Sequence, residues 1–141
     1  MVKDSSFELE FSADPRKLRM VREQVQSACE SFGCDKKTVS DVVIAINEAC
    51  MNVIQHAYKG DSAGEIKLGI HIAGERLCVE IQDYAEPVDR NAIKPRNLDD
   101  VKPGGLGTHF IQEIMDQIEY EHLQDNAGNR LVMSKKLGDG E

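Results

Sequence analysis

No run of apolar residues in this 141-residue chain is long enough to cross a bilayer, and the N-terminal stretch MVKDSSFELE lacks the hydrophobic region of a signal peptide. A cytoplasmic location is expected. There is no CxxC pair: Cys29, Cys34, Cys50 and Cys78 stand apart, among apolar neighbours or near a helix end. Such thiols are expected to be reduced core residues rather than metal ligands or a disulfide framework. Positive charge is in deficit, with 17 Lys and Arg against 25 Asp and Glu, a net charge of −8 with His neutral. That balance argues against nucleic acid or an anionic membrane as the main partner. Internal repeats, low-complexity segments and a second domain are also missing. Residues 1–141 are therefore expected to form one compact domain, with a hydrophobic content of 40% to supply its core.

What is present alternates between two periods. Ser6 to Ser12 place Phe7, Leu9 and Phe11 on one face, as a strand does. Asp14 then offers an N-cap and Pro15 a first-turn residue for a helix carrying Leu18, Val21, Val25, Cys29 and Phe32, which Gly33 stops. Asp35 is positioned to cap a second helix. Ile66, Leu68, Ile70 and Ile72 alternate along a strand, Ala73 and Gly74 turn it, and Leu77, Val79 and Ile81 alternate back. Farther on, a helix carries Leu106, Phe110, Ile111, Ile114, Met115 and Ile118 inward. Two final strands follow, around Ile118 to Leu123 and Arg130 to Leu137, joined by the turn residues Asn126, Ala127, Gly128 and Asn129. This order predicts an α/β (α+β) two-layer sandwich, a mixed but mainly antiparallel sheet with helices on one face.

The second helix is expected over Val39 to Tyr58, and apolar residues cover most of its circumference. Within it Glu48, Asn52 and His56 sit four apart. Steps of four rotate by only about 40°, so a carboxylate, a carboxamide and an imidazole share one edge. On a helix packed on more than one side, such groups need partners. In isolation they serve either to cap loops and bond neighbouring backbone, or to bind a metal and activate a hydroxyl.

Asp83 shares parity with Leu77, Val79 and Ile81, so a regular strand points its carboxylate toward the helical layer. It either ends the strand or accepts from a donor such as a purine amino group, a water or a backbone N–H. From Tyr84 to Pro103 periodicity disappears, and a loop of that length in a small domain is usually functional or mobile. The cluster Gly104, Gly105 and Gly107 before a helix can present N–H groups to an anion, although a plain hinge would look the same. No Lys-Ser or Lys-Thr follows it, so it is not a P-loop.

Together, EACMNVIQHAY (48–58), Asp83 in DYAEPVD, the lid-length loop and GGLGTHFIQEIMD (104–116) resemble the GHKL ATPase superfamily, and within it the anti-sigma-factor serine kinase group. The resemblance covers nearly the whole chain, since IEYEH and GNRLVMSKKL look like that group's C-terminal hairpin. The compact length, without histidine-bearing dimerisation helices, favours this group over sensor histidine kinases.

The resemblance implies the Bergerat ATP-binding fold. It implies ATP or ADP and Mg²⁺ as ligands, with Asn52 coordinating the metal and Glu48 as the base that orients or deprotonates the attacking hydroxyl. Asp83 would accept from the adenine amino group. His56 and the segment Gly104, Gly105, Leu106, Gly107 and Thr108 would complete the nucleotide site, with residues 84–103 as lid. A serine/threonine protein kinase and anti-sigma factor is implied, acting on a STAS-type anti-anti-sigma protein that competes with a sigma factor, and forming a homodimer. A nucleotide-gated binding module without transfer is the alternative, and a degenerate protein-binding domain a third. Ala85 stands where the family's first glycine box usually has glycine, which carries a penalty if that position needs a positive φ or close approach to adenine.

Overall fold

The structure is a computed structural model that describes residues 5–59, 62–85, 111–123 and 128–137. Strand β1 (Ser5–Ser12) leads to Asp14, which accepts from the Arg16 N–H at 2.9 Å and caps a 3₁₀ turn, Pro15–Lys17. That turn runs directly into helix α1 (Leu18–Ser31). The cap thus acts one turn upstream of α1, because Pro15 has no N–H to donate and fits only where a helical turn begins. Leu18, Val21, Val25, Ala28 and Cys29 are its buried residues, and Gly33 leaves it at φ +91°, a conformation that favours glycine. Asp35 then caps α2 (Lys36–Asn52) by accepting from the Thr38 N–H at 2.8 Å.

The structure departs here from the single α-helix expected to reach Tyr58. After Asn52 the chain continues as a π-helical segment, Val53–Ala57, in which the Tyr58 N–H donates to the Val53 carbonyl at 3.0 Å. Such i to i+5 turns are rare and recur at functional sites.

Strands β2 (Glu65–Ala73) and β3 (Arg76–Asp83) form the expected hairpin, turned at Gly74 with φ +64°. Strands β4 (Gln117–His122) and β5 (Asn129–Lys136) form the second. The sheet order is β1-β2-β3-β5-β4, and every described pairing is antiparallel. Ile66, Leu68 and Ile70 of β2 and Leu77, Val79 and Ile81 of β3 are buried in one cluster with Val21, Val25, Val42 and Ile46 of the helices. Burying each such side chain stabilises by about 1.5–3 kcal/mol. A one-residue slip would turn a whole strand's set to solvent, so the alternation pins the register.

Two assignments change. Ile118, expected both on a helix and in a strand, belongs to β4 and is 36% exposed, while Ile111 and Met115 are buried. Asn129, expected in a turn, is the first residue of β5 and is fully buried, because it shares inward parity with Leu131 and Met133. The four cysteines are free, as expected. Cys29 and Cys50 are buried, and burial pushes both thiols up to about 12.

Candidate functional site

The first part of α1 and the C-terminal half of α2 enclose a cleft of about 390 Å³. Glu48 and Asn52, one turn apart on α2 and both half-buried, line it together, with Asn47 and Gln55 from the same helical rod. Leu18 and Arg22 of α1 form the facing wall. The Arg22 guanidinium donates to Asn47 Oδ1 at 3.0 Å, which fixes a cation one residue away from the Glu48 position. The cleft thus combines a carboxylate able to accept a proton, a carboxamide oxygen able to bind a hard cation, and a positive charge.

His56 does not join them. It is exposed and is absent from the cleft wall, where Gln55 stands instead. Helical rotation gives the reason: two steps of four accumulate to about 80°, whereas Gln55, seven residues after Glu48, lies only about 20° from its line.

Asp83 closes β3 at 2% exposure, on the parity the sequence indicated. Two donors meet its Oδ1: the Asn129 side-chain amide at 2.8 Å and the Ala85 N–H at 3.0 Å. A buried carboxylate needs such hydrogen-bond partners. Ala85 carries no positive-φ penalty, since among the described residues only Lys59 combines a side chain with positive φ. The Ala85 N–H serves Asp83. Against the Asp83 backbone lies Gly128, at φ +113°, so close that a Cβ there would strike the Asp83 main-chain carbonyl. Tyr120, on the same face of the sheet, has its phenol pushed up to about 12 by burial and by the Asp83 charge.

Gly104, Gly105, Leu106, Gly107 and Thr108 lie outside the described residues, as does the loop from residue 86 to Pro103. Sequence reasoning missed Asn129, Arg22 and Gln55. Strand parity with Leu131 and Met133 would have found Asn129. Arg22 follows the buried Val21 and lies four residues after Leu18, at the edge of the apolar stripe where α1 meets α2. Among the described residues no cluster of three or more His, Cys, Asp or Glu forms a protein-only metal cage. The carboxamide oxygen of Asn52 instead suits a magnesium ion, which takes most of its ligands from phosphate and water.

Comparison with known proteins gives this arrangement a family. Residues 11–135 match the model of the histidine kinase-like ATPase domain. The serine-protein kinase RsbW of Bacillus velezensis is 28% identical over 138 residues, covering 92% of this chain and 84% of that protein. Among solved structures, the RsbU and RsbW domains of Rv1364c from Mycobacterium tuberculosis superpose with a TM-score of 0.68 at 19% identity. The match covers 94% of this chain but only 32% of that longer one. The catalytic domain of histidine kinase ThkA superposes with a TM-score of 0.50 at 14% identity, covering 93% of this chain and 97% of that one. At these identities the superpositions speak for the fold alone. The chain belongs to the histidine kinase-like ATPase (GHKL) domain family and is a distant homologue of the RsbW anti-sigma serine kinases.

Proposed function

We propose that this protein is an ATP-dependent serine/threonine protein kinase that also acts as an anti-sigma factor. Its substrate would be a STAS-type anti-anti-sigma antagonist, which in its unphosphorylated form competes with the sigma factor for this chain. The observation that carries the reading is that Glu48 and Asn52 line one cleft in a chain of the ATPase family.

In this reading the acceptor hydroxyl attacks the γ-phosphorus, the bond to the bridging oxygen breaks, ADP leaves, and Glu48 takes the hydroxyl proton. Phosphoryl transfer needs mainly positioning and charge neutralisation, which suits a site with one base and one metal ligand. Asn52 would hold Mg²⁺, which when bound neutralises phosphate charge. Asp83 would accept from the adenine amino group, with Asn129 and Ala85 orienting its carboxylate. Gly105 and Gly107 would admit the phosphates to close backbone approach, and residues 84–103 would cover them. A homodimer is part of the proposal.

The test is single-turnover transfer from γ-labelled ATP to a candidate antagonist, in the presence of Mg²⁺, beside a nucleotide titration. Labelled antagonist supports the kinase. Nucleotide binding without transfer points to a gated binding module, and neither result leaves only a protein-binding domain.

A further inference from the structure

We propose that the Tyr58 hydroxyl is a positioning group for base recognition, holding the strand end that carries Asp83 against the end of the helical rod that carries Asn52. The proposal rests on the nucleotide reading above and gives Tyr58, the last residue of the EACMNVIQHAY segment, a role that the resemblance does not imply.

Tyr58 follows the π-helical segment directly. Its hydroxyl donates to the Glu65 carbonyl at 2.6 Å and accepts from the Tyr84 N–H at 2.7 Å. Glu65 opens β2, Tyr84 follows the last residue of β3, and Ile66 pairs with Asp83. One phenol oxygen therefore bridges two neighbouring strand ends just beyond their last ladder pair. The ring is seated against Gly64, where a Cβ would run into it. Burial pushes the phenol above its ordinary value, which keeps the proton needed for the bond to Glu65.

The position of the bond matters more than its strength. Tyr84 lies between Asp83 and Ala85, and the Ala85 N–H donates to Asp83 Oδ1 at 3.0 Å. Fixing the Tyr84 N–H thus fixes the next N–H, and through it the direction of the carboxylate. At its other end Tyr58 is continuous with Asn52 through one helical rod. The phenol is the link by which the base-reading carboxylate and the phosphate-side carboxamide keep a constant separation.

Tyr58→Phe keeps the ring on Gly64 and removes both hydroxyl bonds. The measurement is affinity for ATP, inosine triphosphate and inorganic triphosphate, in parent and variant, with thermal unfolding alongside. The expected result is a folded variant whose preference for ATP over inosine triphosphate falls about tenfold, the weight of one oriented hydrogen bond, with inorganic triphosphate bound as before. Tyr84→Pro removes the donor from the other side and is expected to reproduce that loss, which keeps the test open should the Phe variant not fold. Unchanged preference in folded variants overturns the proposal, and so does an equal fall for all three ligands. A parent that binds no nucleotide removes the nucleotide reading itself, and the role of Tyr58 with it.

Discussion

Asp83 and Asn129 stand opposite each other where β3 meets β5, and the Asn129 amide donates to Asp83 Oδ1 at 2.8 Å with both residues almost wholly buried. Removing one partner of a buried bond costs more than the bond contributes, because the other is left short of a partner. Asn129→Ala is expected to lower unfolding free energy by about 1–3 kcal/mol, read from denaturant midpoints. Asp83→Asn keeps an acceptor for Asn129 and Ala85 but replaces one carboxylate oxygen by a donor. Calorimetric titration is expected to show ATP binding weakened by about 1–3 kcal/mol. Equal ATP affinity in that variant and the parent removes Asp83 from the site.

Asn52 tests the metal. Alanine is the better helix former, so Asn52→Ala is expected to leave α2 intact by circular dichroism. It is also expected to abolish the Mg²⁺ dependence of nucleotide binding. If Mg²⁺ does not alter ATP affinity in the parent, the metal assignment fails.

Glu48 separates transfer from binding. Glu48→Gln keeps size and hydrogen bonding and removes the base, so ATP and partner binding are expected to persist. Single-turnover phosphorylation is expected to slow by at least about 100-fold, the low end for losing a positioned base. Undiminished transfer would exclude Glu48 as the base.

Gly128 tests the backbone behind Asp83. Its φ of +113° disfavours any side chain, and a Cβ would collide with the Asp83 carbonyl. Gly128→Ala is therefore expected to destabilise by more than about 1 kcal/mol and to disturb ATP binding, whereas Gly74→Ala, with nothing near its Cβ, pays only for its φ. Equal ATP affinity in the two variants would show that Gly128 serves the fold alone.

Tyr120 sets an alkaline limit. Its folded value, about 12, lies above the ordinary 10.0, so folding favours the neutral phenol. That contribution is complete below pH 10 and is lost as pH rises toward 12. The parent is expected to lose stability over this window more steeply than Tyr120→Phe. Titration of phenolate absorbance is expected to show one fewer late-ionising tyrosine in the variant than in the parent.

Much of this was legible along the chain because it depends on near neighbours. Alternation of Phe7, Leu9 and Phe11, or of Leu77 through Asp83, states which side each residue takes in any extended strand. Asp14 and Asp35 marked helical starts because a carboxylate that accepts from an N–H two or three residues on is a local bond. The four-residue step from Glu48 to Asn52 belongs to the same class. The same rotation carries a second step of four off that line, leaving Gln55 on the cleft and His56 in solvent. The tertiary structure alone decided that the rod ends in a π turn and that the Tyr58 hydroxyl beyond it is tied to the ends of β2 and β3. It also decided the partners of Asp83 and Arg22, which come from Asn129 and Asn47, 46 and 25 residues away. Spacing rules describe one element at a time, whereas these contacts arise only when strands and helices stack and every buried polar group must find a bond across them.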